Sequence, residues 1–254
     1  MVLILVVGAT LLVNKISAPF DGYLAYNEAW YSLIIKNYNT HSWLNPIAIP
    51  GQPDLRIPPF FTYVGYLVYL LLGDHEWAYR ILPVICGLVC IWLTFSIGRR
   101  LYGARAGVVA AALLAVSPVF VLTARNVQTD SMYLMLCLSA LHFFYIWKED
   151  GNPGSLIFTS ILFGLGIFTK QFAGVALAAL IAAETIRRTV NKDKLPKISI
   201  LLLAVCAFII LVIPGQYYLY HAIRHPSALF IGQRYGAASL AEIPGGHALL
   251  MCGP

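Results

Sequence analysis

Apolar residues run in long stretches along most of the chain, and polar residues collect in the short gaps between them. Crossing the ~30 Å hydrocarbon core of a bilayer takes about 20 helical residues. On that measure the stretches near 81–98, 106–124, 131–147, 155–169, 171–186 and 198–215 read as transmembrane helices. The first apolar run, Met1 to Val13, reaches only ~20 Å as a helix, and no basic segment precedes it. It reads either as a span whose beginning is missing or as a signal-like anchor. With it counted, the pattern predicts an all-α, polytopic membrane bundle of about seven spans forming one domain, with no internal repeat and no soluble module.

Residues 14–80 break the pattern. Trp30, Leu33, Ile34 and Tyr38 recur at helical spacing while Glu28, Ser32 and Lys36 fall on another face, which predicts a helix lying flat at the membrane surface. The run from Pro59 to Leu72 is too short to cross and reads as an interfacial or re-entrant helix. After Pro214 the chain carries Pro226, Gly232, Gly236 and Gly245-Gly246, so 216–254 reads as a loop.

Composition explains why the bilayer is the solvent to reason with: 59% of the 254 residues are hydrophobic and only 11% are charged. The formal charge of +6 does not point to nucleic acid, because no basic run with interleaved aromatics lies in a soluble segment. The basic residues instead mark topology. Arg99, Arg100 and Arg105 follow one span, and Arg187, Arg188, Lys192, Lys194 and Lys197 follow another, so both gaps are expected in the cytoplasm. Alternation then puts Lys148, Glu149 and Asp150 inside, and 14–80, 125–130, 169–171 and 216–254 outside.

Ionisable side chains at membrane depth or at span ends are costly, so each is a candidate for function. Glu28, Arg125, Asp130 and Lys170 come from three segments, yet this topology brings all four to the outer surface. Carboxylates beside fixed cations suit a reaction in which a base activates a hydroxyl and a phosphate departs. Plainer readings stand beside this one: Asp130 as a helix cap, Lys170 snorkelling to headgroups, Arg125 as an interfacial anchor. Cys86, Cys90, Cys137 and Cys206 sit in apolar runs and read as small packing residues, and only Cys252 lies clearly outside one. His221 and His225 are four apart but lack the Glu of a zinc-protease helix, and read as surface histidines. Eight tyrosines, with Trp30, Trp43 and Trp77, fall within 14–80. They read first as an interfacial belt and second as sugar-stacking rings.

The order of several short motifs resembles a known group. Asn27-Glu28-Ala29-Trp30-Tyr31, Asn37, Trp43-Leu44-Asn45-Pro46 and Pro58-Pro59-Phe60-Phe61 are followed by Arg80-Ile81-Leu82-Pro83 and Gly98-Arg99-Arg100-Leu101-Tyr102-Gly103. Ala124-Arg125, Thr129-Asp130 and Thr169-Lys170 complete the series. Together they resemble the N-terminal half of GT-C glycosyltransferases of the protein O-mannosyltransferase and lipid A aminoarabinose transferase group, over about residues 20–225. The chain is therefore expected to be truncated relative to that group.

This resemblance implies a membrane-bound, inverting glycosyltransferase that passes a hexosyl or pentosyl unit from a polyprenyl phosphate to a hydroxyl of a protein, lipid or glycan. The implied place is the extracytoplasmic face, in the plasma membrane of a prokaryote in preference to the endoplasmic reticulum. Carried over, Glu28 and Asp130 would position or deprotonate the acceptor, and Lys170, Arg125, Arg56 and Arg80 would hold the phosphate. Asn27 stands where the group has its leading Asp, and Ile57 where it has Lys before Pro-Pro. Asp21 or Glu28 would supply the missing carboxylate, and Arg56 the missing cation. No cofactor is fixed, and a divalent metal is left open. The other reading is a non-catalytic, carrier-binding or assembly subunit that keeps the fold.

Overall fold

The computed structural model describes residues 1–22, 24–40, 46–49, 52–53, 58–191 and 197–224. Arg56, the Trp43-Leu44-Asn45 run, His225 and Cys252 lie outside them. Helices α1 (Val2–Val13) and α2 (Ala25–Asn37) come first, and a two-strand antiparallel ribbon, β1 (Ile47–Ile49) and β2 (Gln52–Pro53), follows. Next are α3 (Phe60–Leu72), α4 (Glu76–Tyr102), α5 (Ala104–Ala115), α6 (Pro118–Arg125) and α7 (Asp130–Asp150). The series ends with α8 (Pro153–Thr169), α9 (Ala173–Asn191) and α10 (Lys197–Arg224).

Three of these are long and apolar enough to cross a membrane: α4, α7 and the Ala204–Ile223 part of α10. The single stretch expected at 106–124 is two helices, α5 and α6, bent by 64°. Pro118 is the cause. It cannot donate a backbone hydrogen bond and it pushes Ser117 to an extended ψ of 119°, so α5 stops and α6 restarts with the proline in its first turn. The opposite happens at Pro214, which lies inside α10. The helix continues to Arg224 where a loop was expected after 215, and it buries Tyr217 and His221. His221 is not a surface histidine: it is 0% exposed and packs edge-on against Tyr217 at 4.4 Å and Tyr220 at 5.0 Å.

Two tight reversals build the bundle. Gly103, at φ 90°, turns α4 back along α5, and the backbones touch: a Cβ on Gly107 would lie 2.6 Å from the Phe95 carbonyl. Gly151, at φ 66°, ends α7; Asn152 then caps α8 through the Gly154 amide and Pro153 takes the first helical position. The C-terminal ends of α4, α7 and α9 share one end of the bundle. There Arg100 pairs with Glu149, while Lys148, Arg187 and Arg188 surround Glu184. Twenty-one residues of α7, ~30 Å, separate this network from Asp130.

At Asp130's end, the described residues of 14–80 form a packed cover. One face of α2 buries Tyr31, Ile34, Ile35 and Tyr38 against α3 and β1, while Leu33 stays 45% exposed. The stripe Glu28, Ser32, Lys36 divides: the first two are buried and only Lys36 is exposed. The buried tyrosines pack largely on one another, Tyr38 on Tyr63 and Tyr66, and Tyr69 on Tyr66 and Tyr79. Phe168 of α8 stacks on Phe60 and meets Tyr217, joining this layer to the bundle.

Candidate functional site

Glu28 enters the protein from the first turn of α2 and meets Arg80, from the start of α4, in a two-pronged pair. Nε donates to Oε1 and Nη2 to Oε2, both at 2.8 Å. The side chains are 1% and 5% exposed. The Val127 amide also donates to Oε1 at 3.0 Å. Arg80 spends its remaining donors on the 15–19 segment: Nη1 reaches the carbonyls of Ile16 at 3.0 Å and Ala18 at 2.5 Å, and Phe20 lies over its guanidinium at 5.0 Å. A buried ion pair is tolerated when its hydrogen bonds are satisfied in this way. Both oxygens of Glu28 are therefore engaged, and the pair ties together α2, α4, the 15–20 segment and the turn after α6.

Asp130 and Lys170 meet in a different setting. Asp130 is the first residue of α7, and Thr129 holds the N-cap position without a side-chain cap bond, so capping by the Asp130 side chain does not describe it. Lys170 ends α8 in an extended conformation at the break before α9. Its Nζ donates to Asp130 Oδ1 at 2.8 Å, and the side chains are 30% and 27% exposed. The ammonium also sits 5.4 Å from the Tyr133 ring centre and 5.9 Å from that of Phe172. Among the described residues Oδ2 has no partner, so one carboxylate oxygen and part of the ammonium stay open to a ligand.

Three of the other expected site residues meet at a cleft of about 320 Å³. Asp21, Arg80 and Arg125 line it, together with Asn14, Lys15 and Asn126. One turn, 126–129, joins the cleft to the open pair: Arg125 ends α6 on one side and Asp130 begins α7 on the other. Asn27 is exposed on α2 and does not line the cleft. Lys15 is a cation that sequence reasoning left out of the site. Its signal was there, a lone lysine just past an apolar run, but such residues usually anchor at headgroups. Among the described residues no group of three or more His, Cys, Asp or Glu side chains converges as a metal site.

The family model described as dolichyl-phosphate-mannose-protein mannosyltransferase matches residues 56–218. No curated protein sequence matches the chain. Among solved structures, the chain is similar to ArnT from Cupriavidus metallidurans bound to undecaprenyl phosphate, at 23% identity and a TM-score of 0.72. That likeness covers 92% of this chain and 44% of that one. The apo state of ArnT gives 24% identity, a TM-score of 0.69 and coverage of 89% and 42%. The Archaeoglobus fulgidus oligosaccharyltransferase gives 19% identity, a TM-score of 0.62 and coverage of 89% and 30%. These likenesses show a shared GT-C fold, and the chain spans less than half the length of each of these structures.

Proposed function

The chain belongs to the dolichyl-phosphate-mannose-protein mannosyltransferase family, and from that premise we propose that it carries the reaction centre of an integral-membrane glycosyltransferase. The donor is a sugar on a polyprenyl phosphate, the acceptor is a hydroxyl, and the reaction takes place at the extracytoplasmic face. The observation that carries this reading is that the matched region, 56–218, contains Asp130 and Lys170 and that the two form a half-open ion pair at 2.8 Å.

In the proposed step the acceptor oxygen attacks the anomeric carbon in line with the leaving group, forming one C–O bond as the bond to the carrier phosphate breaks. Configuration at the anomeric carbon inverts. Asp130 receives the hydroxyl proton on its open oxygen, and Lys170 lends positive charge to the departing polyprenyl phosphate. Glu28 and Arg80 act as positioning residues, because their pair fixes the turn that leads to Asp130. Carrier recognition is supported by the likeness to a protein crystallised with undecaprenyl phosphate.

The test is transfer of sugar from a polyprenyl-phosphate donor by the complete protein and by Asp130→Asn. Loss of about 10²-fold or more in turnover, with carrier binding kept, is the expected result. Full activity in Asp130→Asn overturns the assignment. Carrier binding without turnover in the native protein supports the non-catalytic reading instead.

A further inference from the structure

We propose that the cleft bounded by Lys15 and Arg125 is an anion site separate from the Asp130–Lys170 pair, built for a phosphate-bearing headgroup whose hydroxyl or amine falls to Asp21. Arg80 faces the same cleft, but Glu28 neutralises it and most of its donors are committed to Glu28 and to backbone carbonyls. What remains is Lys15 and Arg125 against Asp21, two cations and one carboxylate. None of the three side chains has a hydrogen bond or ion pair with any described residue. Unlike Arg80, Lys170 and Lys36, they are not used to hold helices together: Arg80 has Glu28, Lys170 has Asp130, and Lys36 has Asp74.

Backbone geometry adds a second, independent point. Lys15 sits at φ 61°, in the left-handed region, the one such non-glycine residue among those described. A lysine there is strained by ~1 kcal/mol or more and persists only where its surroundings hold it. The surroundings are visible: the Arg80 guanidinium takes the carbonyls of Lys15 at 3.3 Å, Ile16 at 3.0 Å and Ala18 at 2.5 Å. The buried Glu28–Arg80 pair thus fastens the one turn that makes Lys15 a wall of the cleft. Arg125, the last residue of α6, lines the same cleft.

A volume of about 320 Å³ takes a phosphate with a small substituent and is too small for a folded partner. A phosphate offers acceptor oxygens to both cations, and a hydroxyl or ammonium on the same headgroup offers a donor to Asp21. Two sources share this chemistry, a phospholipid headgroup of the surrounding bilayer and a soluble phosphate ester. This inference does not depend on the transfer reaction, since it concerns binding alone.

The experiment uses the full chain, purified in detergent and in nanodiscs. Inorganic phosphate and glycerol 1-phosphate are titrated by calorimetry, and retention of phosphatidylglycerol over phosphatidylcholine is read by native mass spectrometry. Each measurement is repeated on Lys15→Gln, on Arg125→Gln and on Lys15→Arg, which keeps the charge and guards against misfolding. Lys36→Gln serves as an exposed-lysine control. If soluble phosphate binds and the two Gln variants weaken it about tenfold each while Lys15→Arg does not, the site is supported with a phosphate-ester ligand. If only phosphatidylglycerol is retained, and the Gln variants release it, the site is supported with a bilayer headgroup. Anion binding equal in native and Gln variants, or absent from the native protein with both probes, overturns it.

Discussion

Glu28–Arg80 and Asp130–Lys170 are both carboxylate–cation pairs with 2.8 Å contacts at the same end of one bundle, yet burial separates them. The first is 1% and 5% exposed and every carboxylate oxygen has a partner. The second is about a third exposed and keeps an open oxygen. A buried, saturated pair stores its energy in the fold and has nothing left for a ligand. A half-open pair contributes little to the fold and keeps its charges available. Lys36–Asp74, at 53% and 47% exposed, is the solvated limit of the same series.

The comparison breaks most directly at Arg80. Arg80→Met strands a buried carboxylate, and a loss of about 3–5 kcal/mol in unfolding stability is expected. Thermal unfolding in micelles measures it. Adding Glu28→Gln should recover a large part of that loss, because the cost lies in the unpaired charge and not in the missing bond. At Asp130 the balance is reversed. Asp130→Asn should change stability by less than about 1 kcal/mol while removing turnover, so stability and activity separate between the two pairs. Lys170→Gln should act in the same direction but more weakly, raising the KM for the polyprenyl-phosphate donor about tenfold with little change in melting.

The smallest effect belongs to the solvated pair. Hydrogen bonds from Lys36 and then Tyr79 hold the Asp74 carboxyl below its usual range, and the bond to Asp74 raises Lys36 above its own. Asp74's contribution is present above the unfolded carboxylate value and fades as pH falls through its lowered folded value. The contribution of Lys36 is present below the unfolded lysine value and fades as pH rises through its raised one. Stability should therefore be flat between these limits and dip slightly beyond them, and Asp74→Asn should remove the acid-side dip in a melting series against pH.

Much of the helical scaffold was legible because its signals are local. Gly103, Gly151 and the Asn152-Pro153 start of α8 mark reversals by backbone preference, and the apolar runs mark the spans by length. Two prolines show where local signals fail. Pro118 breaks a stretch that hydropathy alone joins, whereas Pro214 is carried inside α10 by packing that buries Tyr217 and His221 just beyond it. The candidate site was half legible. Asp130 and Lys170 stood out as charges at the ends of apolar runs, but nothing near Glu28 in the chain foretells Arg80, 52 residues away.

Sequence by itself determined the solvent, most of the helices and the family, since each rests on composition, periodicity or short motifs that survive without a fold. Tertiary structure alone decided which charges are spent and which are free. Burial is a property of neighbours brought from far along the chain, and it makes Glu28 part of the frame, leaves Asp130 half open, and brings Lys15 and Arg125 to one cleft that the linear sequence does not contain.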